Sequence, residues 1–262
     1  MVKRTEDKAS GGVQSIDRTF AILEALADAG GLLSLSQLAE RADLPLATIH
    51  RLVRTLVQLG YVRQEENRQY SLGPRLLRLS DTTTKRVGVW AEPYMEAAVA
   101  ELQESVNLAM LDGDEIVYIA QVQPQHNFMR MFTEVGRRVL PHSTAVGKAM
   151  LASEDPALVR GLLHRTGMPR RTDTTITHED AFIERLAADR LRGYSTDEGE
   201  QEVGVRCVAV AVPGAPRPMA LSMSGPTTRV DEAKVEQAAR ILGEAARGIA
   251  DALANPAREL SA

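Results

Sequence analysis

The chain has 262 residues, 44% hydrophobic and 25% charged, ordinary globular values that exclude wholesale disorder. Its 31 Lys and Arg against 35 Asp and Glu leave a net charge of −4, which excludes a uniformly basic nucleic-acid coat. The charge is uneven, however: residues 1–90 hold 13 basic against 10 acidic side chains, or +3, and residues 91–262 hold 18 against 25, or −7, so a local basic domain at the front is compatible with the total.

Residues 1–11 lack an apolar core and are expected to be a disordered arm. From Ser15 onward Ile16, Phe20, Leu23 and Leu26 recur at spacings of four and three, with Ile22 beside them. This pattern predicts an amphipathic helix that buries that stripe and ends at Gly30-Gly31. Ser34 or Ser36 can cap a second helix with an apolar face of Leu35, Leu38 and Ala39, stopped by Leu44-Pro45. A third helix is expected from about Pro45, which suits a first-turn position, to Leu59, before Gly60. Ile49, Leu52, Val53 and Leu56 form its buried stripe. Thr48, Arg51, Thr55 and Gln58 form a separate polar line, flanked by Ala47, His50 and Arg54. Tyr61–Arg63 and Gln69–Leu72 read as a hairpin around the turn-rich Glu65–Arg68. A helix beginning at Pro74, with Leu76, Leu77 and Leu79, links to the rest.

After Pro93 the pattern changes. Tyr94–Glu104 reads as a helix, and Asn107–Leu111 and Ile116–Val122 as strands joined by the hairpin signal Asp112-Gly113-Asp114. A third strand is expected at Met129–Glu134, and helices at about 144–153, 156–166 and 179–191. Arg206–Pro213 and Pro218–Ser224 are apolar strand runs around a Pro/Gly turn, and an Ala-rich amphipathic helix closes the chain at about 231–254. The fold class is α+β: a winged helix-turn-helix over residues 12–73, a linker helix over 74–90, a mixed sheet domain over 91–255 and a tail over 256–262.

A winged helix-turn-helix exists to hold one helix in the DNA major groove. The third helix docks its apolar stripe on the first two, so its polar line faces outward. Thr48, His50 and Arg51 lie in its first half, where base edges are reached, and Arg54 and Thr55 one turn later. Arg63 and Arg68 on the hairpin reach phosphates or a neighbouring minor groove, and the amides near Ser34 and Ser36 suit a phosphate. The expected partner is double-stranded operator DNA.

Here the residues match a known pattern. Val13–Leu23 resembles the opening of the IclR family of bacterial transcriptional regulators, Leu44–Leu52 its recognition-helix signature, and Gly60-Tyr61-Val62 with Tyr70–Gly73 its wing. Leu140–Ala149, Gly193–Asp197, Gly204–Ala209 and Ser222–Pro226 are similarly typical, so the resemblance runs from about residue 12 to about 255. It implies a GAF-like effector-binding domain behind the DNA-binding head, assembly as a homodimer or a tetramer built as a dimer of dimers, and control by a small organic acid. It also implies an effector site at Ala145, Val146, Asp197, Cys207, Ser222 and Ser224. The chemistry is consistent: two serines two apart on a strand present both hydroxyls on one face as uncharged donors, Cys207 adds a polarizable wall, and Asp197 accepts from a hydroxyl or amide. Ala145 and Val146 stand where some relatives have Gly and Ala, which narrows the pocket. Within the family, Met129-Arg130-Met131-Phe132 with Asp197–Cys207 is similar to the branch controlling glyoxylate and allantoin use. This favours glyoxylate, allantoate or a similar small acid, although aromatic-acid and sugar-acid sensors share the frame. Repression is the expected output, with activation as the alternative.

Other readings fit less well. Val146-Gly147-Lys148-Ala149 is not a phosphate-binding loop, because that pattern needs Gly at 142 and Ser or Thr at 149, where the chain has His142 and Ala149. The histidines, His50, His126, His142, His164 and His178, lack metal-ligand spacing, so no metal and no cofactor are expected. A hydrolase using Cys207 is the enzyme alternative, and a nucleoid-type DNA binder without a ligand is opposed by the acidic rear domain. The single cysteine, Cys207, excludes an intramolecular disulfide and fits a cytoplasmic location. No apolar run approaches the ~18 residues that span a bilayer, so no membrane partner is expected.

Overall fold

A computed structural model describes residues 13–80, 89–124 and 134–254. The chain divides into two compact units, Met1–Thr83 and Thr84–Ala262. The expected arm at 1–11, the tail at 256–262, residues 81–88 of the linker and Met129–Phe132 with its proposed strand, Glu134 excepted, lie outside the described residues.

The first unit contains α1 (Gln14–Asp28), α2 (Leu35–Arg41), α3 (Leu46–Gln58), β1 (Val62–Gln64), β2 (Tyr70–Leu72) and a helical segment, α4, at residues 75–80. Its core is Ile22, Leu26, Leu33, Leu38, Ile49, Val53, Leu56, Val62 and Tyr70. The buried face of α1 differs from the expected stripe: Ile22 and Leu26 are fully buried, whereas Ile16 and Phe20 are 53% and 58% exposed. Only the second half of α1 packs on the core, and residues 13–17 are all exposed. Of the two candidate caps Ser34 is the one used. Its hydroxyl accepts from Gln37 N at 3.3 Å while Gln37 Oε1 accepts from Ser34 N at 2.9 Å, a reciprocal capping box. Ser36 instead lies exposed inside the first turn of α2. Pro45 is the N-cap of α3 rather than its first helical residue. The wing β1–β2 is antiparallel, and Leu33 bridges to Tyr70 on the far side of β2, tying the start of α2 to the wing.

The second unit contains α5 (Glu92–Leu102), β3 (Ser105–Asp112), β4 (Glu115–Val122), β5 (Arg138–Val139), α6 (Ala145–Leu151), α7 (Pro156–Thr166), α8 (Glu179–Arg192), β6 (Ser195–Glu198), β7 (Val205–Ala211), β8 (Met219–Pro226) and α9 (Glu232–Ala254). The strands form one six-stranded sheet in the order β5-β4-β3-β8-β7-β6, antiparallel throughout. Alternation sends Val106, Leu108, Val208, Leu221 and Met223 to one face, where they join α5 and α9 in the largest core. Ala109, Ala209 and Ala220 go to the other, under Ala145, Val146 and Ala149 of α6. Small residues on this second face let α6 approach closely. Gly147 lets the preceding turn fold against α6, because a Cβ there would lie 2.3 Å from the Pro141 carbonyl oxygen. Strands β5 and β6 were not expected from the pattern.

Candidate functional site

On α3 the apolar residues Ile49, Val53 and Leu56 are 0–3% exposed and face the core. The opposite face presents Ala47, His50, Arg51, Arg54, Thr55 and Gln58, all exposed, with Thr48 half-buried at its edge. No acidic residue occurs in α3. The side chains of Arg51 and Arg54 make no ion pair or hydrogen bond with the described residues, so their guanidinium groups are available to an outside anion. Thr55 donates its hydroxyl to Arg51 O at 3.1 Å and keeps acceptor capacity. The two wing arginines differ. Arg63 is clamped to Glu65 through Nε at 3.0 Å and Nη2 at 2.8 Å, and Ser71 donates to the same carboxylate oxygen at 2.5 Å. These bonds hold the Glu65 carboxyl below its ordinary range, Ser71 contributing most. Arg68 sits exposed at the hairpin turn with a φ of 63°.

The second unit holds a cavity between the α6 face of the sheet and the loop after β6. It is lined by Ala145, Val146, Asp197, Cys207, Ser222 and Ser224 together with Tyr118, Arg137, Val139, Thr144, Gln201, Glu202 and Val205. Six residues drawn from α6, β6, β7 and β8 therefore line one cavity. The register explains why: Asp197 faces Cys207 across β6–β7, and Cys207 faces Ser224 across β7–β8. Ser222, two residues before Ser224, falls on the same face. Cys207 donates its thiol hydrogen to Ser224 Oγ at 3.2 Å, and burial pushes this thiol up, so it stays protonated. Burial likewise pushes the Tyr118 phenol up. Asp197 is pushed up to about 7, chiefly by burial, although Lys148 and the Glu200 amide pull the other way. Its Oδ1 accepts from Glu200 N at 2.6 Å and Gln201 N at 3.4 Å. Behind it the fully buried Lys148 pairs with Glu200. Burial drives the Lys148 ammonium down, and Glu200 opposes that. The Thr144 hydroxyl accepts from Gly147 N at 3.2 Å, and the amides of Ala145 and Val146 in the same first turn have no intrahelical acceptor.

The sequence reading missed Tyr118, Arg137, Lys148 and Glu200. Tyr118 sits in an ordinary alternating strand and Arg137 in a loop, where no pattern marks them. Lys148 did stand out, within the rejected phosphate-loop resemblance, but as a buried ion-pair partner it has a different part to play.

The family model described as IclR helix-turn-helix domain matches residues 15–66, and that of the bacterial transcriptional regulator IclR C-terminal domain matches residues 82–251. The chain belongs to the IclR family. It is 34% identical over 248 residues to the transcriptional repressor IclR of Escherichia coli, covering 92% of this chain and 90% of that protein. It is 32% identical over 250 residues to the HTH-type transcriptional regulator BhcR of Paracoccus denitrificans, covering 94% and 89%. Among solved structures, an IclR homolog from Microbacterium hydrocarbonoxydans complexed with 4-hydroxybenzoate matches with a TM-score of 0.77 at 27% identity, over 92% of this chain and 99% of that one. As an IclR protein the chain is a transcriptional regulator, with an N-terminal DNA-binding helix-turn-helix and a C-terminal α/β domain for a small-molecule effector, and it is not an enzyme. The state of Cys207 agrees: nucleophilic attack needs a thiolate, and this thiol is held protonated against a serine. Among the described residues no helix is long and apolar enough to cross a membrane.

Proposed function

We propose that this IclR-family regulator is a cytoplasmic repressor that binds a palindromic operator as a homodimer or tetramer and is released or modulated by a small carboxylate of two or three carbons. The observation carrying the ligand class is the size and chemistry of the cavity. Its free volume is about 40 Å³, whereas one ordered water needs roughly 10–15 Å³. That favours a ligand of a few heavy atoms, such as glyoxylate, over allantoate or the ring of an aromatic acid, which would require Val146 to move. Ser222, Ser224, Tyr118 and the first-turn amides of α6 supply uncharged donors for carboxylate oxygens. Because Asp197 is pushed up to about 7, its acid form can meet an anion without like-charge repulsion.

On the DNA side, the free Arg51 and Arg54 with Thr48, His50 and Thr55 form the proposed base- and phosphate-reading face, supported by Arg63 and Arg68 of the wing. Ser34, committed to capping, and Ser36 mark the α2 end proposed to approach a phosphate through its amides. Effector occupancy alters operator affinity through a coupling of about 1–3 kcal/mol, and an occupied operator blocks polymerase.

The test uses operator DNA selected from a random-sequence pool by the wild-type protein, and a thermal-shift panel of small acids. Arg51→Ala is expected to lose operator binding and keep the acid-induced shift. The double change Ser222→Ala with Ser224→Ala is expected to keep operator binding and lose the shift. Unchanged operator affinity in the first, or an undiminished shift in the second, removes the corresponding half of the proposal.

A further inference from the structure

Asn107, on β3, is fully buried on the same sheet face as the cavity, and an amide placed there must find partners. It finds them in a chain with one direction. Gln123 Nε2 donates to Gln121 Oε1 at 2.7 Å, Gln121 Nε2 donates to Asn107 Oδ1 at 2.8 Å, and Asn107 Nδ2 donates to Ser224 Oγ at 3.4 Å. Cys207 donates to the same Ser224 oxygen from the other side at 3.2 Å.

A serine hydroxyl has two acceptor sites and one proton. With both acceptor sites of Ser224 occupied by Asn107 and Cys207, the only function it has left is to donate, and its other neighbour is the cavity. We infer that Asn107 and Gln121 are positioning residues that lock Ser224 as an obligate hydrogen-bond donor, so that the cavity selects a ligand oxygen that accepts and rejects one that donates. The inference rests on the cavity being the effector site. Neither residue touches the cavity; each acts through the next link, and successive bonds in such a chain polarise one another. The chain begins at Gln123, which is exposed, and Gln121 is only partly buried, so its polarity can be reversed without placing a new charge in the core.

Gln121→Glu does this. The new carboxylate cannot donate, so the Asn107 carboxamide turns to give it Nδ2, presents Oδ1 to Ser224, and takes the Ser224 proton away from the cavity. The probes are formate, acetate, glyoxylate, pyruvate, lactate and oxalate, followed by thermal shift and calorimetric titration at pH 8 and pH 4. The acid that stabilises the wild-type chain most is expected to bind the Gln121→Glu variant at least tenfold more weakly at pH 8. The deficit relative to wild type should shrink at pH 4, where the introduced carboxyl, ordinarily titrating at about 4.3, takes up a proton, with the unliganded melting temperature at pH 8 and operator binding unchanged. A purely structural residue would shift the melting temperature and show no such pH-dependent recovery. Asn107→Asp is the second variant, expected to lose acid binding in the same way. Wild-type affinity in Gln121→Glu, with binding lost in Ser224→Ala, overturns the relay and leaves the cavity reading standing. Binding retained in Ser224→Ala, or no acid of the panel stabilising the wild-type chain, overturns the cavity reading and the relay with it.

Discussion

Burial and hydrogen bonding act on Asp197 in opposite directions, and burial wins: two backbone amides and Lys148 favour the carboxylate, yet its titration is pushed up to about 7. In the unfolded chain an aspartate titrates near 3.9. Between those values the native state holds a proton that the unfolded state has released, so stability falls as pH rises from about 4 to about 7. Asp197→Asn keeps the shape and removes the titration, and its melting temperature is expected to decline less than that of the wild type between pH 5 and pH 8. Parallel curves would mean that Asp197 is ionised in the fold. On the proposed function the same proton governs anion binding: glyoxylate affinity is expected to fall with rising pH above about 7 in the wild type and stay flat in Asp197→Asn, read by titration calorimetry at pH 6, 7 and 8. The charged and polar groups around this carboxyl, Lys148 on α6, Glu200 and Glu202 in the loop, Cys207 on β7 and Tyr118 on β4, are unchanged in the comparison.

At the scale of elements, close backbone approach fixes the wing. Gly73 N donates to Tyr61 O at 2.7 Å, and a Cβ at Gly73 would lie 2.3 Å from Gly60 O and 2.8 Å from Tyr61 C. Neither atom is a flexible side-chain end, so the turn after α3 must shift. Gly73→Ala is expected to cost about 3 kcal/mol, seen as a lower unfolding midpoint in urea, and to weaken operator binding because the wing moves relative to α3. A midpoint within error of wild type would show that the turn yields freely. This contact was invisible in the sequence, whereas α3 itself was legible, because Ile49, Val53 and Leu56 repeat at helical spacing and leave one uncharged-to-basic face. The α1 stripe was half misread: Ile16 and Phe20 keep the period, but periodicity marks a face and not how much of it finds a partner. Strand β6 was missed for the opposite reason. Ser195-Thr196-Asp197-Glu198 has no apolar alternation: Asp197 lines the cavity, while Thr196 and Glu198 are taken up by Arg185 and Arg206, and polar side chains with such partners carry no hydrophobic signal of a strand. The candidate effector residues on β7 and β8 were placed together by family resemblance with a strand period of two, while Asn107, Lys148 and Glu200 required coordinates.

For the molecule as a whole, each of the two units has a hydrophobic core of its own, Ile22, Leu26 and Ile49 among the residues of one and Leu108, Val208 and Leu221 among those of the other. A ligand confined to the second core's unit stabilises that unit directly, by RT ln(1 + [L]/Kd), or about 2.7 kcal/mol at a hundredfold excess over Kd. It reaches the first unit only through whatever coupling regulation requires, about 1–3 kcal/mol. Scanning calorimetry with and without saturating glyoxylate separates these two quantities. Leu26→Ala, which opens a cavity in the first core and costs about 2–5 kcal/mol, identifies the transition belonging to the DNA-binding unit by moving it down. The expected result is a large ligand-induced rise in the other transition and a smaller shift in the tagged one, with a sign that matches the effect of glyoxylate on operator affinity. Equal shifts in both would mean that the units unfold as one cooperative block, and no shift in the tagged transition, alongside a changed operator affinity, would place the coupling in the assembly of protomers rather than within a single chain.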